Sequence, residues 1–261
     1  MRLTVLGRWS PYPPADGACP GYLLEAAGHR LLLDCGTGAL ANLQRVATVF
    51  DLQGIVITHL HPDHVLDLFA LKQALTFGHY PQVPPPVPLL APPYAEEALP
   101  ACMARLLPQD QEEEVSRFRE RFLFMPILED REVTVGPFVL RFAQTAHSIL
   151  CFGIRVEAGG RTLAYSADTG PSESIEALAR EAHLFLCEST LPAQHEEQAP
   201  RVGHLSGRLA GQMAARAGVQ RLLLTHFFVP YGDDTEEARA GAAKEFGGQV
   251  LIAKEMQAYD V

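Results

Sequence analysis

The sequence predicts an α/β fold in which two β-sheets pack face to face and helices cover both outer surfaces, a four-layer αββα sandwich. Strand-like and helical segments alternate along the 261 residues in the order strand-rich, helical, strand-rich, helical. The composition, 48% hydrophobic and 20% charged, is typical of a globular protein with a large core. We therefore expect residues 1–261 to form a single domain built from two similar halves, although no close internal repeat is visible.

The first half begins with strands and ends with helices. After a first strand comes a Pro- and Gly-rich loop with Trp9 and Tyr12, which either lines a site or is a packed connection. A hairpin then turns at Ala27-Gly28, and a proline-rich stretch over 80–93 either faces substrate or links elements. The predicted elements are strands over 2–7, 21–26, 29–33, 54–58 and 87–91, and helices over 39–46, 65–77, 94–106 and 110–121.

The second half returns to strands from Glu132. A hairpin is expected around Gly159-Gly160, and the stretch 192–202 is predicted to be a mobile loop. Before the second half begins, the charge run Glu112-Glu113-Glu114 is interpreted as the solvated face of a helix. The predicted elements are strands over 133–135, 138–144, 152–157, 161–166, 182–187, 220–224 and 249–253, and helices over 172–181 and from 206 to about 217.

The stretch Thr58-His59-Leu60-His61-Pro62-Asp63-His64 is the strongest functional signal. Three imidazoles and a carboxylate follow a buried strand and precede a helix. Buried polar groups need partners, and a divalent metal supplies one. Because Pro62 turns the chain between His61 and Asp63, the pattern suits two metal positions better than one. The alternative is a surface loop that is merely rich in histidine.

Further polar residues follow other predicted strands. His147, Asp168, Glu188 and His226 each come at or just after a strand end, where sites in layered α/β folds collect. Alone, His147 is better explained as a satisfied core histidine and Asp168 as a turn cap. Beside the histidine motif, the pair favours a shared site. Asp34 after the hairpin either holds the histidine loop by hydrogen bonds or stabilises its own turn.

Charge and cysteine content narrow the function classes. A net charge of −10 gives no general attraction to nucleic acid, whose binding depends on Lys and Arg at phosphates. The five scattered cysteines are interpreted as reduced core residues. No apolar run is long enough for a membrane span and the N-terminal residues 1–7 are strand-like rather than a signal peptide, so we expect a cytoplasmic protein without membrane contact.

Together these residues resemble the metallo-β-lactamase superfamily over nearly the full length. The resemblance implies that fold and two divalent metal ions, with Asp168 as the bridging ligand. It assigns His59, His61 and His147 to one metal, and Asp63, His64 and His226 to the other. Nitrogen and oxygen ligands suit zinc, while manganese and iron remain open.

The chemistry expected of two such metals is hydrolysis. A metal-bridging hydroxide is the nucleophile at phosphorus or a carbonyl, and the leaving group needs a proton. His204, in Gly203-His204-Leu205-Ser206, is surplus to the seven ligands and is the candidate general acid. A helix-capping or buried histidine is the alternative. The resemblance narrows to ribonuclease Z-like phosphodiesterases, in which a glutamate at the position of Glu188 orients this acid. For Glu188 the alternative is a carboxylate that caps the next turn. Asp63 is assigned a catalytic role as well as a place among the metal ligands.

One departure from ribonuclease Z shapes the predicted function. Enzymes that clamp tRNA carry a basic arm, usually between the residues matching His147 and Asp168, and only a tight hairpin fits here. We therefore expect a compact phosphodiesterase for small or cyclic phosphodiesters or nucleotides, with Phe227, Phe228 and Tyr231 either stacking a ring or packing in the core. RNA is disfavoured as a partner. A tRNA 3′-processing endoribonuclease, a thioester or lactone hydrolase, and a non-enzymatic binding protein are the alternatives, and a homo-oligomer remains open.

Overall fold

A computed structural model describes residues 1–261 except 79–81, 83, 107–108, 130 and 233–234. The helices are α1 (Ala39–Leu43), α2 (Pro62–Phe77), α3 (Ala95–Ala104), α4 (Gln111–Arg121), α5 (Glu173–Ala179), α6 (Ala199–Val202), α7 (Gly207–Ala217) and α8 (Thr235–Glu245). The strands are β1 (Arg2–Gly7), β2 (Trp9–Ser10), β3 (Gly21–Ala26), β4 (His29–Leu33), β5 (Leu52–Val56), β6 (Val87–Ala91), β7 (Phe122–Pro126), β8 (Val133–Val135), β9 (Phe138–Gln144), β10 (Phe152–Ala158), β11 (Arg161–Tyr165), β12 (Leu184–Glu188), β13 (Arg221–Thr225), β14 (Phe227–Phe228), β15 (Gln249–Ile252) and β16 (Ala258–Asp260).

Two seven-stranded mixed sheets form the centre of the molecule. The first has the order β16-β1-β3-β4-β5-β6-β7 and the second the order β15-β13-β12-β11-β10-β9-β8. In each sheet, antiparallel hairpins pass into parallel strands, at β4–β5 in the first and β11–β12 in the second. The parallel strands send their carboxyl ends to one edge, which is where polar residues follow them in the sequence.

Three apolar clusters hold these layers together. One contains inward residues of both sheets, including Leu31, Phe138 and Tyr165, and so lies between the sheets. A second packs the first sheet against helices α1 to α4, and a third packs the second sheet against α5, α7 and α8. The predicted α/β sandwich with helices on both outer faces is therefore confirmed.

Several sequence predictions need correction. The stretch 192–202, predicted to be a mobile loop, contains a 3-10 helix at Ala193–Gln198 followed by α6. Strand β7, helix α8 and strand β16 were missed, and α1 ends at Leu43 rather than at residue 46. Part of the proline-rich stretch, residues 80, 81 and 83, lies outside the described residues, while its strand β6 is confirmed.

Two side chains also depart from expectation. Cys102 is exposed on α3, whereas the other four cysteines are buried as predicted, and all five are free thiols. Glu114 does not belong to a solvated face: it is 2% exposed and forms a buried ion pair with Lys72, which is 1% exposed. The pair joins α4 to α2, the helix that carries the histidine motif at its start.

Two short pairings shape the edge near the motif. Strand β14 pairs in parallel with β2, with Phe227 opposite Trp9 and Phe228 opposite Ser10. The Trp9 and Phe227 rings meet edge to face at 6.2 Å, and both side chains are buried. Within the described residues, no helix is both long and apolar enough to cross a membrane.

Candidate active site

The histidine motif is placed by the end of β5 and the start of α2. Pro62 occupies the first turn of α2, where its fixed φ fits and its missing N–H costs nothing. Four other strands, β9, β11, β12 and β13, end nearby and deliver His147, Asp168, Glu188 and His226. Each of these residues is distant from the motif in sequence, so the site forms only when the two sheets pack.

A first cluster contains His59, His61, His147 and Asp168. The Nε2 atoms of His59 and His147 each lie 3.1 Å from His61 Nδ1. Asp168 Oδ2 lies 3.6 Å from His59 Nε2 and 3.9 Å from His147 Nε2. Three ring nitrogens and one carboxylate oxygen therefore converge on one point, as around a metal ion.

A second cluster contains Asp63, His64 and His226. The Nε2 atoms of His64 and His226 are 3.1 Å apart, and Asp63 Oδ2 lies 3.5 Å from His226 Nε2. The other oxygen of Asp168, Oδ1, lies 3.2 Å from both of these nitrogens. Asp168 thus presents one oxygen to each cluster.

The buried carboxylates of the two clusters lack enough positive charge around them, which indicates that cations bind here. Asp168 is 2% exposed, and its Oδ1 has no hydrogen-bond donor within the described residues. Burial would raise the pKa of Asp168, but the charges of His226, His64 and His59 outweigh it and hold this pKa well below its ordinary value. Burial lowers the pKa of His64, yet Asp168, Asp34 and Asp63 together raise it well above normal. This buried excess of carboxylate charge is what divalent ions would balance.

The opposite ring nitrogens are held by the protein, which fixes the tautomers. His147 Nδ1 donates to the Gly203 carbonyl at 3.0 Å, and His64 Nδ1 donates to Asp34 Oδ2 at 2.8 Å. His59 Nδ1 lies 2.9 Å from Thr58 Oγ1. With the Nδ1 atoms of these three histidines carrying the proton, their Nε2 lone pairs face the cluster centres, the arrangement seen around metal-binding histidines, whereas His61 faces its cluster through Nδ1.

Asp34 holds the histidine loop, which resolves the alternatives left open by the sequence. Its Oδ1 accepts from the Thr58 backbone N–H at 2.8 Å, and its Oδ2 accepts from Thr58 Oγ1 at 3.1 Å and Tyr165 at 2.9 Å. Because Thr58 Oγ1 donates to this carboxylate, it accepts from the His59 ring. Thr58 was recognised only as the first residue of the motif, without a role of its own, and Tyr165 did not stand out in the sequence.

A matching arrangement surrounds Glu188, which is fully buried. Its Oε2 accepts from Thr190 Oγ1 at 2.5 Å, and Thr190 Oγ1 lies 2.8 Å from His226 Nδ1. Its Oε1 lies 3.0 Å from His204 Nδ1. Glu188 also accepts backbone N–H groups from Thr169 and Leu205. Thr190 was missed, although its place two residues after a strand-end glutamate was a usable signal.

His204 is half-buried and next to both clusters. It stacks against His226 with ring centroids 5.8 Å apart. Its ring also lies close enough to Asp168 and His226 for the three side chains to share one metal ion. Burial lowers the pKa of His204, but the charge and hydrogen bond of Glu188 outweigh it and raise this pKa to about 9. Gly203, at φ 72°, directs its carbonyl to His147; a Cβ there would meet the Ala146 carbonyl at 3.0 Å.

Unusual backbone conformations also occur at this site. Asp34, Ala167 and His226 adopt φ of 54°, 50° and 60°, a left-handed region unfavourable for residues other than glycine. All three lie at the ends of strands entering the site. Strain of this kind is tolerated where a surrounding network holds the residue, and it gathers at functional sites.

A cavity of about 480 Å³ opens over the clusters. His61, Asp63, Asp168, Thr190 and His204 line it from the site. Ser10, Pro11 and Phe228, on or beside the paired strands β2 and β14, form a second wall of the cavity. Gln198 and Val202 line it from the segment 193–202. Of the aromatics singled out in the sequence, Phe228 lines the cavity and Phe227 belongs to the core, while the side chain of Tyr231 is outside the described part of the structure.

A family profile described as "Beta-lactamase superfamily domain" matches residues 29–227, which include every residue of both clusters. The chain belongs to this superfamily. Its members' fold binds divalent metal, and the two clusters, with their held tautomers and unbalanced carboxylate, fit that requirement. The predicted superfamily is therefore confirmed, as is the expectation of a metal-dependent hydrolase.

Two relatives and one protein of the same fold illustrate the relationship. The "Probable metallo-hydrolase YhfI" of Bacillus subtilis is 29% identical over 255 residues, 97% of each chain. Its crystal structure matches with a TM-score of 0.83 at 26% identity, covering 99% of this chain and 98% of that one.

A ribonuclease Z of Mycobacterium bovis is 29% identical over 280 residues, covering 100% of this chain and 98% of the relative. The short form of human tRNase Z shares the fold, with a TM-score of 0.78 at 21% identity over 100% of this chain and 99% of that chain. The resemblance to ribonuclease Z drawn from the sequence is thus supported by full-length similarity.

Proposed function

We propose that this hydrolase is a dinuclear-metal phosphodiesterase that acts on small or cyclic phosphodiesters or nucleotides. The observation that carries the proposal is the His204–Glu188 pair, which lies against Asp168 and the second cluster. A protonated imidazole beside a hydrolytic centre serves a reaction whose leaving group needs a proton, such as the alkoxide of a phosphodiester.

Seven residues would hold the two metals. His59, His61 and His147 would hold one, Asp63, His64 and His226 would hold the other, and Asp168, which presents a separate oxygen to each cluster, would contribute to both. The mixed nitrogen and oxygen donors favour zinc, with manganese or iron as alternatives. When bound, two such cations lower the pKa of a water molecule and neutralise charge that develops on the phosphoryl group.

His204 and Glu188 then supply the proton that the leaving group needs. His204 is charged at neutral pH because Glu188 raises its pKa to about 9, and its Nε2 side is the one not held by the carboxylate. From there it donates a proton to the departing ester oxygen, and Glu188 stabilises the ring in the required tautomer. Thr190 couples this pair to His226, so the acid and a metal-holding residue share one carboxylate.

The surroundings favour a small substrate. Strands β10 and β11, between His147 and Asp168, are joined directly by Gly159-Gly160, which leaves no arm for clamping a folded RNA. The cavity of about 480 Å³ is in the range of pockets for small ligands. The net charge of −10 is unfavourable for a polyanion.

A tRNA 3′-processing endoribonuclease is the second candidate. The full-length similarity to a ribonuclease Z supports it. The tight β10–β11 hairpin and the acidic charge argue against it. Cleavage of a precursor tRNA by metal-loaded protein, at rates above those for small phosphodiesters, would favour this second function over the first.

The deciding experiment measures hydrolysis of bis-p-nitrophenyl phosphate and of p-nitrophenyl acetate by protein of known metal content. We expect phosphodiester hydrolysis that scales with bound metal up to two ions per chain. Hydrolysis of the carboxylic ester alone would contradict the proposal and favour a thioester or lactone hydrolase. A metal-loaded protein inert to both would point to a binding function.

A further inference from the structure

Two chain segments outside the metal clusters line the cavity above them. One is the short β2–β14 ladder, which contributes Ser10 and Phe228 together with the adjacent Pro11. The other is the segment 193–202, which contributes Gln198 and Val202. Neither segment is assigned a role in holding metal or moving the proton, and both line the cavity where the rest of a substrate would lie.

Phe228 is held in place by its neighbours in the chain. Its register partner is Ser10, and the preceding Phe227 donates its backbone N–H to the Arg8 carbonyl at 2.9 Å. Phe227 itself is 5% exposed and packs against Trp9, which fixes the strand from the core side. The half-buried ring of Phe228 therefore forms part of a fixed wall, a surface on which a base can stack.

Gln198 is likewise on an anchored segment. It ends the 3-10 helix Ala193–Gln198, and Glu196 in that helix accepts hydrogen bonds from Ser206 and from Arg208 Nε, the latter at 2.9 Å. At the other end of the segment, the Gly203 carbonyl accepts from His147. The amide nitrogen of Gln198 lies 3.5 Å from His195 Nδ1, and the amide has a second N–H and an acceptor oxygen, which suit the edge of a base.

The charge of the lining limits how many phosphates the cavity can take. Its ionisable side chains are two carboxylates, Asp63 and Asp168, and two imidazoles, His61 and His204. Among the described residues that line it there is no Lys or Arg, the side chains that usually bind additional phosphates. The cavity thus suits one phosphoryl group at the metals with uncharged groups around it.

We infer that this cavity binds a phosphodiester bearing a single nucleoside, whose base stacks on Phe228 and is hydrogen-bonded by Gln198. The inference rests on the proposed phosphodiesterase function and names the specificity residues of the same site. Phe228 and Gln198 act on binding of the nucleoside, while His204 and the metal clusters act on the bond that breaks.

Two substrates with one leaving group separate these roles. Thymidine 5′-(p-nitrophenyl phosphate) and methyl p-nitrophenyl phosphate release the same phenol and differ only in the nucleoside. We expect Phe228→Ala to lower kcat/KM about 10-fold or more for the thymidine ester, the size of one lost base stack, and to leave the methyl ester nearly unchanged. Gln198→Ala should cost about 5-fold on the thymidine ester alone. Phe77→Ala, at a side chain that is 63% exposed on α2, is the matched control.

Calorimetry gives a reading that does not depend on turnover. Metal-loaded wild type should bind thymidine 5′-methylphosphonate more tightly than methyl methylphosphonate, and Phe228→Ala should remove the difference. Phe228→Leu, which keeps bulk without an aromatic face, should behave like the alanine variant if stacking is the cause.

Equal losses on both esters, or equal binding of both phosphonates by wild type, would overturn the inference while leaving the phosphodiesterase function standing. If neither ester is hydrolysed but the methyl ester's phosphonate analogue still binds, the proposed function fails. The calorimetric comparison of wild type with Phe228→Ala then decides the nucleoside site by itself.

Discussion

The carboxylate of Glu188 lies 3.0 Å from the Nδ1 atom of His204 and, through the hydroxyl of Thr190, also reaches the ring of His226. Asp34 does the same in the other half of the site, holding His64 directly and His59 through Thr58. Two buried carboxylates, each with a threonine, therefore orient the histidines around Asp168, and His64 and His226, one from each set, both lie 3.2 Å from Asp168 Oδ1. Several expected properties depend on this arrangement.

Replacing the proposed acid should slow turnover without removing metal. His204→Ala is expected to lower kcat about 100-fold or more for a phosphodiester with an alkyl leaving group, because an alkoxide needs the proton. For a p-nitrophenyl leaving group, which departs unprotonated, the loss should be much smaller. Steady-state kinetics with metal analysis tests this, with His29→Ala, at the exposed first residue of β4, as the control. An equal loss of kcat for both leaving groups would show that His204 is not the general acid.

The pH profile should report the same residue. His204 must be protonated to act, so kcat should fall as pH rises through its pKa of about 9. In Glu188→Gln the charge that raises this pKa is gone, so the alkaline limb should move to lower pH. Profiles of kcat against pH for wild type, Glu188→Gln and the exposed control Glu197→Gln make the comparison. An alkaline limb that stays in place in Glu188→Gln would contradict the assignment.

Thr190 should matter for metal affinity through its hydroxyl. Removing a group that orients a metal-holding histidine typically weakens binding roughly 10- to 100-fold, so Thr190→Val should release metal at lower chelator concentration. Thr190→Ser retains the hydroxyl and should restore affinity. Chelator titration followed by a zinc-sensitive dye measures the difference. Valine and serine variants of equal affinity would show that Thr190 acts only by packing.

Metal removal should destabilise the fold. His64 lies among three carboxylates, and Asp168 Oδ1 has no donor in the described structure, so the empty clusters leave buried charge unbalanced. A ligand present at 100 times its dissociation constant stabilises the native state by about 2.7 kcal/mol. Thermal unfolding should therefore shift down by several degrees on chelation and recover with zinc. An unchanged Tm would indicate that these clusters do not bind metal.

The Lys72–Glu114 pair should stabilise α4 against α2 only as a pair. Glu114→Ala leaves the Lys72 ammonium buried without a partner, which typically costs about 3–5 kcal/mol in unfolding free energy. The double variant Lys72→Met, Glu114→Leu should recover most of that loss. Urea denaturation measures each variant, with Glu113→Ala, a 59% exposed side chain, as the control. A double variant as unstable as the single one would show that the loss comes from packing.

Local sequence signals predicted the core of the site because they need little tertiary information. The cluster residues between Thr58 and His64 are close together in the sequence, so the strand, the Pro62 turn and the helix place them by local geometry. Hydrophobic patterns of period two and glycine turns identified most strands of both sheets. His147, Asp168 and His226 were recognisable because each follows such a strand.

The missed elements lacked those local signals. Strand β7 follows α4 without an intervening turn, and β16 has only three residues. Helix α8 has no broad apolar stripe, since it packs on α7 through small residues, with Ala238 and Ala242 against Gly207 and Gly211. Such close contact between backbones becomes visible only when the two helices are together.

The sequence by itself therefore determined the fold class and the residues that form the two clusters, because short-range patterns and strand ends carry that information, and its resemblance to a known superfamily gave the family. Only the tertiary structure decided what Asp34 holds, that Thr190 links Glu188 to His226, that Glu114 is buried, and that Phe228 rather than Phe227 faces the cavity. These are contacts between residues far apart in the chain. They depend on how the two sheets and their helices pack, which no local pattern specifies.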